Sequence, residues 1–387
     1  RHRAYRKKGV QKIEPGLKAD GLTGGVTYYD GMTDDARLTL ETILDAVRAG
    51  AKVLSYARVR GFVEDSTGIV QGVTVADVLD ETRTTTLFAK VTVNSTGPWS
   101  DLVLRLLRHN QPAPMVRPTK GVHILVDAAR LPVQHAVVMT VPKDGRIIFA
   151  IPWADPESPA ASRTVIGTTD TDYHGDPDRV AADAADIDYL LEVANFFFPE
   201  SKLVPDDVLA TWAGLRPLVM PSSDGLDASS VSREHRILSR PGLVTIIGGK
   251  LTTYRRMAAQ LLSEAYKQLG VTEPPCATLD RPLPGATDWK PPTDDFDPVA
   301  ELTEELVALN LPGIDRQVAR HLATTYGVRA RTIVEKIQQG GDPSASDRLD
   351  PELPFLYAEV DLAVTVDLAV RLDDVLSRRM PLLLLAR

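Results

Sequence analysis

An apolar run, Leu243-Val244-Thr245-Ile246-Ile247, ends in Gly248-Gly249-Lys250-Leu251-Thr252-Thr253, and a helix-forming segment at residues 254–268 follows. No other feature constrains the fold of this chain as much. A buried strand, paired glycines and a helix start together bring unpaired backbone N–H groups up to an anionic ligand. The glycines permit positive φ and close approach by that ligand. Lys250 adds a mobile cation, and Thr252 and Thr253 can cap the helix or donate to the ligand. On its own the stretch is also a plain strand-to-helix turn with a helix cap.

At 387 residues the chain is long enough for two or three domains with substantial cores. Its 43% hydrophobic and 25% charged residues are ordinary for a soluble globular protein. A net charge of −8 argues against nucleic acid as a partner, and an anionic substrate needs a local basic pocket. Cys276 is the sole cysteine, which excludes a disulfide framework and a thiolate metal site within these residues. The histidines form no pair at metal-ligand spacing, so no metal site is expected. No apolar run approaches the roughly 18–20 residues that span a bilayer, and Pro381-Leu382-Leu383-Leu384-Leu385 is far too short. Arg1-His2-Arg3-Ala4-Tyr5-Arg6-Lys7-Lys8 is basic but lacks the apolar core of a signal peptide. Membrane contact, on this reading, is peripheral.

Residues 34–49 begin with acids, carry apolar residues at helical spacing and stop at Gly50, which predicts a helix. Residues 52–56 read as a strand, residues around Phe62-Val63 and Val73–Val75 as arms of a meander, and residues 89–93 as a β-branched strand. From about residue 112 to 241 the pattern changes to short alternating strands at 123–126, 136–141, 146–152 and 164–167, with one helix at 182–198 stopped by Pro199. A mixed sheet is expected there. Residues 272–298 are rich in proline and aspartate and read as a linker. Helices are expected from Asp297-Pro298 onward, at 315–326, 331–339 and 355–376.

Four further motifs stand in order with the first: Asn94-Ser95-Thr96-Gly97-Pro98-Trp99, Lys120-Gly121-Val122-His123, Ile166-Gly167-Thr168-Thr169-Asp170 and Ala213-Gly214-Leu215-Arg216-Pro217-Leu218. With these five motifs the chain resembles, over residues 28–379, the FAD-dependent, quinone-linked glycerol-3-phosphate dehydrogenases of the D-amino-acid-oxidase-like flavoproteins. The resemblance implies an α/β fold with an α+β cap. It places a partial FAD-binding α/β domain at 1–111 and a substrate-binding cap with a mixed sheet at 112–241. The FAD-binding domain resumes at 242–271, and an all-helical domain at 299–387 follows the linker. It also implies a G-x-G-x-x-G loop after a first strand. None is found: Gly21-Leu22-Thr23-Gly24-Gly25 is the only early glycine cluster, it follows no buried strand, and it reads as a loop or strand connection. The expectation is that the chain starts after the phosphate-binding unit, ends inside the helical domain, and as a fragment holds FAD weakly.

The reaction that the resemblance implies moves hydride from C2 of sn-glycerol 3-phosphate to FAD, yields dihydroxyacetone phosphate, and passes electrons to quinone. Such chemistry needs cations for a phosphate dianion, a donor toward the developing alkoxide and a proton acceptor. Arg216 offers a planar fork for phosphate oxygens or an incipient carbonyl, against the commoner reading of an ion-paired surface arginine. Lys250 holds phosphate or offsets charge on reduced flavin, or is a solvated lysine at a helix start. His123, titrating near 6.5 when unperturbed, accepts the C2 hydroxyl proton or packs beside an apolar strand. Thr169 lines the substrate cavity or closes an Asx-type turn. The resemblance assigns cofactor contacts to Val59, Thr96, Gly97, Gly248, Gly249, Lys250, Leu251, Thr252 and Thr253.

Two close alternatives remain: a glycerol-3-phosphate oxidase that uses oxygen, and a flavin-free, non-catalytic chain of the same fold. An amine or amino-acid oxidase would lack the terminal helical region. The expected location is the cytoplasm, with contact at the inner membrane, and a homodimer is compatible with the sequence.

Overall fold

The computed structural model describes residues 2–109, 111–153, 162–220, 234–293 and 295–386. Strand β1 (Arg3–Arg6), helix α1 (Lys7–Ile13) and strand β2 (Gly24–Thr27) form a small unit in which the two strands pair antiparallel. Gly24 and Gly25 thus lie in a strand, where a Cβ on Gly24 would sit 2.6 Å from the Tyr5 carbonyl oxygen. Helix α2 (Asp35–Arg48) starts at Asp34, whose carboxylate accepts from the Arg37 amide at 2.9 Å. This capping bond satisfies one of the orphan donors of the first turn.

Strands β3 (Ala57–Glu64), β4 (Val70–Asp77) and β5 (Thr84–Phe88) make the expected meander, and β6 (Thr92–Asn94) and the short helix α3 (Ser100–Leu104) follow. Two strand expectations need correction here. Residues 52–56 form no strand: Tyr56 has a φ of 57°, which breaks extended backbone, and Leu54 is exposed. Of residues 89–93, only Thr92 and Val93 are in a strand.

The large sheet is built on β7 (Val116–Asp127), with β8 (Val137–Thr140), β9 (Ile147–Trp153), β10 (Arg163–Gly167) and β11 (Thr171–Asp172). Helix α4 (Ala184–Phe197) then leads to β12 (Val208–Val219). β10 and β11 pair in turn with one edge of β7, and β12 pairs along the other. All of these pairings are antiparallel, so the sheet expected to be mixed is antiparallel throughout its described strands. The helix α4 carries the chain past β7, so that β11 and β12 flank that strand and both run antiparallel to it.

Alternation along β7 sends Val122, Ile124 and Val126 into one core with Leu190, Leu191, Val193 and Ala194 of α4. Each valine, isoleucine or leucine among them contributes about 1.5–3 kcal/mol by leaving water. Lys120, on the same core-facing side, is buried and pairs with Asp183 at 2.7 Å and Asp186 at 2.6 Å, the two residues of the α4 capping box. The opposite face of β7 carries Thr119, Gly121 and His123.

Strands β13 (Arg236–Arg240) and β14 (Leu243–Ile247) form a hairpin; β14 runs parallel to β6, and helix α5 (Tyr254–Leu269) follows. The terminal region holds α6 (Pro298–Ala308), α7 (Arg316–Tyr326), α8 (Ala330–Gln339), α9 (Tyr357–Thr365) and α10 (Leu382–Leu385). The helix expected over 355–376 stops at Thr365. Beyond it Leu368 has a φ of 61°, and a π-helical turn occupies Asp374–Arg379.

An ionic cluster between α2 and the terminal helices sits at that break. Asp367, 1% exposed, accepts from Arg37 at 3.0 Å and from Arg329, while Arg329 also reaches Glu41. The Arg37 guanidinium lies 4.6 Å from the centre of the Tyr326 ring and donates to the Arg379 carbonyl at 3.0 Å. No glycine or proline marks this break; the buried carboxylate of Asp367 lies between two arginines beside it.

Candidate active site

His123 lies on central strand β7, opposite Trp212 of β12 and Gly167 of β10. A bulge in β12 between Val208 and Ala210 sets this register. The imidazole stacks on the Trp212 ring, with centroids 5.0 Å apart and planes 10° from parallel. On the other side, a Cβ at Gly167 would overlap His123 Cδ2 and lie 2.8 Å from Nε2. Burial, followed by the nearby Arg216 charge, lowers the His123 pKa to about 4, against a smaller opposing pull from Asp35 at the start of α2. At neutral pH the ring is therefore neutral and able to accept a proton.

Arg216 on β12 stands opposite Thr119. One guanidinium nitrogen donates to the Thr169 carbonyl and to Asp170 Oδ1, both at 3.2 Å, and the other donates to Thr168 Oγ1 at 3.1 Å. The Thr168-Thr169-Asp170 turn thus aims the guanidinium. Thr169 itself is 1% exposed, and its hydroxyl accepts from the Val122 amide at 3.0 Å, closing the gap between β10 and β11.

Between the His123 row and the Arg216 row lies a row of glycine alone: Gly121 opposite Gly214. A Cβ on Gly121 would come within 2.6 Å of Arg216 Nη2, whereas one on Gly214 would meet no atom within 4 Å. One two-residue step along a strand is roughly 6.8 Å. The guanidinium therefore reaches back over Gly121, and the open floor of this face is the space above Gly214, with the imidazole at one end and the guanidinium at the other.

The turns expected to hold a cofactor leave the C-terminal ends of the parallel pair β6 and β14, where α/β sheets place ligands. Asn94 Oδ1 accepts from the Thr96 amide at 3.2 Å and the Thr96 hydroxyl at 2.7 Å. Gly97 follows with a φ of 55° and open space where a Cβ would point. Gly248 and Gly249 have φ values of 77° and 99°, which only glycine adopts without strain. Val219, three residues past Arg216, would lie 2.8 Å from a Cβ on Gly248, so this turn sits at the Arg216 end of β12. Lys250, Leu251, Thr252 and Thr253 are exposed, and Thr253 donates through its amide and hydroxyl to the Lys250 carbonyl at 3.0 and 3.1 Å. Val59 lies at a bulge of β3; its neighbour Arg58 pairs at 3.8 Å with Asp178, which also accepts from Trp99 Nε1 at 2.8 Å.

Asn94 Nδ2 is buried and has no partner. A buried donor beside two glycine turns with spare backbone N–H groups suits the oxygens of a dinucleotide such as FAD, so the residues present fit that part of the cofactor. Among the described residues no cluster of His, Cys, Asp or Glu could hold a metal ion, and no helix is long and apolar enough to cross a membrane.

The sequence reading missed Trp212 and the pairing of Gly121 with Gly214. Both depend on cross-strand register, and only the flanking motif Ala213-Gly214-Leu215-Arg216 hinted at them.

The family described as FAD dependent oxidoreductase matches residues 1–255, and the C-terminal domain of alpha-glycerophosphate oxidase matches residues 276–387. The chain is 35% identical to an aerobic glycerol-3-phosphate dehydrogenase of Staphylococcus haemolyticus, over 98% of this chain and 65% of that protein. It is also 35% identical to a glycerol-3-phosphate dehydrogenase of Synechocystis, over 98% of this chain and 67% of the relative. The X-ray structure of the glycerol-3-phosphate dehydrogenase from Bacillus halodurans complexed with FAD superposes with a TM-score of 0.82 at 33% identity, covering 98% of this chain and 71% of that one. The chain thus spans about two-thirds of the length of these relatives. On the combined sequence and structural match, it belongs to the glycerol-3-phosphate dehydrogenase family of FAD-dependent oxidoreductases.

Proposed function

We propose that the protein oxidises sn-glycerol 3-phosphate to dihydroxyacetone phosphate. The observation that carries this reading is the glycine floor between a neutral imidazole and an aimed guanidinium. A three-carbon polyol phosphate has the length and the charge to lie across it. FAD, when bound, supplies the hydride acceptor. Arg216 holds an anionic oxygen of the substrate in a fixed fork geometry, and the Thr168-Thr169-Asp170 turn orients that fork. An imidazole nitrogen of His123 takes the C2 hydroxyl proton, and Lys250 adds positive charge at the cofactor rim. We assign quinone as the electron acceptor, reached at the cytoplasmic face of a membrane; the relatives' name of dehydrogenase supports this over oxygen.

Anaerobic addition of glycerol 3-phosphate to the FAD-loaded protein is expected to bleach the visible flavin band and release dihydroxyacetone phosphate. A quinone analogue should restore the colour faster than oxygen does. If dithionite bleaches the flavin but glycerol 3-phosphate does not, the proposal fails. Rapid peroxide release instead of quinone reduction would favour the oxidase reading.

A further inference from the structure

Two neighbours hold His123 in its pose. Adjacent antiparallel strands lie about 4.8 Å apart, so rings standing on facing residues can stack with little tilt. Trp212 meets that condition, with its ring 5.0 Å from the imidazole and 10° from parallel. Across β7, the absence of a side chain on Gly167 leaves the space that the imidazole fills. Gly167 has no positive φ, so a turn conformation does not account for this glycine. Glycine inside a strand weakens it, and a close approach by another group is the usual reason for it.

We infer that Trp212 is a positioning residue: with Gly167 it clamps the His123 ring upright beside the glycine floor and shields it from water. The inference rests on the proposed role of His123 as proton acceptor. The geometry gives Trp212 two separable effects. Its flat face fixes ring orientation, and its bulk excludes solvent. The charged groups acting on the ring are Arg216 of β12, which opposes its protonation, and Asp35 of α2, which favours it. Loss of the indole removes part of the desolvation that keeps the imidazole neutral.

The test measures flavin reduction by glycerol 3-phosphate across pH in the FAD-loaded protein, alongside flavin content and melting temperature. Trp212→Ala should move the acid limb up toward the pH of an ordinary histidine. Trp212→Leu keeps apolar bulk without a flat face, so it should leave the limb low yet slow flavin reduction by ~10-fold or more, as expected for a misplaced catalytic group. Trp212→Phe, which keeps a stacking face, should restore both. A folded, flavin-loaded Trp212→Leu protein with the parent's rate overturns the clamp, and this holds even where Trp212→Ala fails to fold. If His123→Asn keeps the parent's rate and pH profile, the role of His123 falls and the inference with it. An unchanged rate in Trp212→Leu together with an effect of His123→Asn removes the clamp alone.

Discussion

Two parts of this molecule hold arginines against acids, and they use them differently. In the cluster between α2 and the terminal helices, Arg37 and Arg329 are each 8% exposed and surround Asp367 and Glu41, all within protein. On the sheet face, Arg216 is about a quarter exposed; the Thr168–Asp170 turn aims it, and open space lies beside it over Gly214. The first arrangement joins α2 to the terminal helices, and the second leaves room for an anion. Burial and spare space, more than residue type, separate these two arginine environments.

The largest effect expected from this contrast is at Asp367. Asp367→Ala leaves two buried guanidinium groups short of a counter-charge, which typically costs about 3–5 kcal/mol. Denaturant unfolding of the protein would show it as a fall in stability, with α2 coming away from the terminal helices first. A decrease below about 1 kcal/mol would make the cluster no more than a surface pair and erase the contrast.

Arg216→Ala should do the reverse, sparing stability and cutting kcat/KM for glycerol 3-phosphate by the equivalent of roughly 2–4 kcal/mol. Flavin content should stay near that of the parent. A rate within about twofold of the parent would exclude Arg216 from binding or catalysis.

The pH profile is the finest of the three tests. Burial and Arg216 both disfavour the charged imidazole, so neutral His123 persists as pH falls until about 4. The kcat/KM for glycerol 3-phosphate should therefore stay level through the range where a free histidine protonates and drop only near that lower value. In the residual activity of Arg216→Ala the limb should move upward, because one of the two influences holding the pKa down is gone. His123→Asn should abolish the limb and slow flavin reduction. A limb unchanged in that variant would mean that the ring only packs against Trp212.

Much of the candidate site's local structure was legible in the chain. Gly248-Gly249-Lys250 announces its turn because positive φ has few solutions in sequence, and β14 and α5 appeared within a residue of their expected ends. His123 and Arg216 stood out through local motifs that surround them. Their relationship did not, because it depends on how β12 is registered against β7, and a bulge near Leu209 shifts that register by one residue.

Local chemistry in the sequence determined the caps at Asp34, Asp183, Asp297 and Asp315, the glycine turns and the apolar alternation of β7. These depend on neighbours a few residues away, which a linear reading sees. Tertiary structure alone decided that the sheet is antiparallel, that α9 stops before Asp367, and that Trp212 stacks on His123 across two strands. Each of those outcomes joins residues distant in sequence, where pairing register, burial of charge and shared space outweigh local propensity.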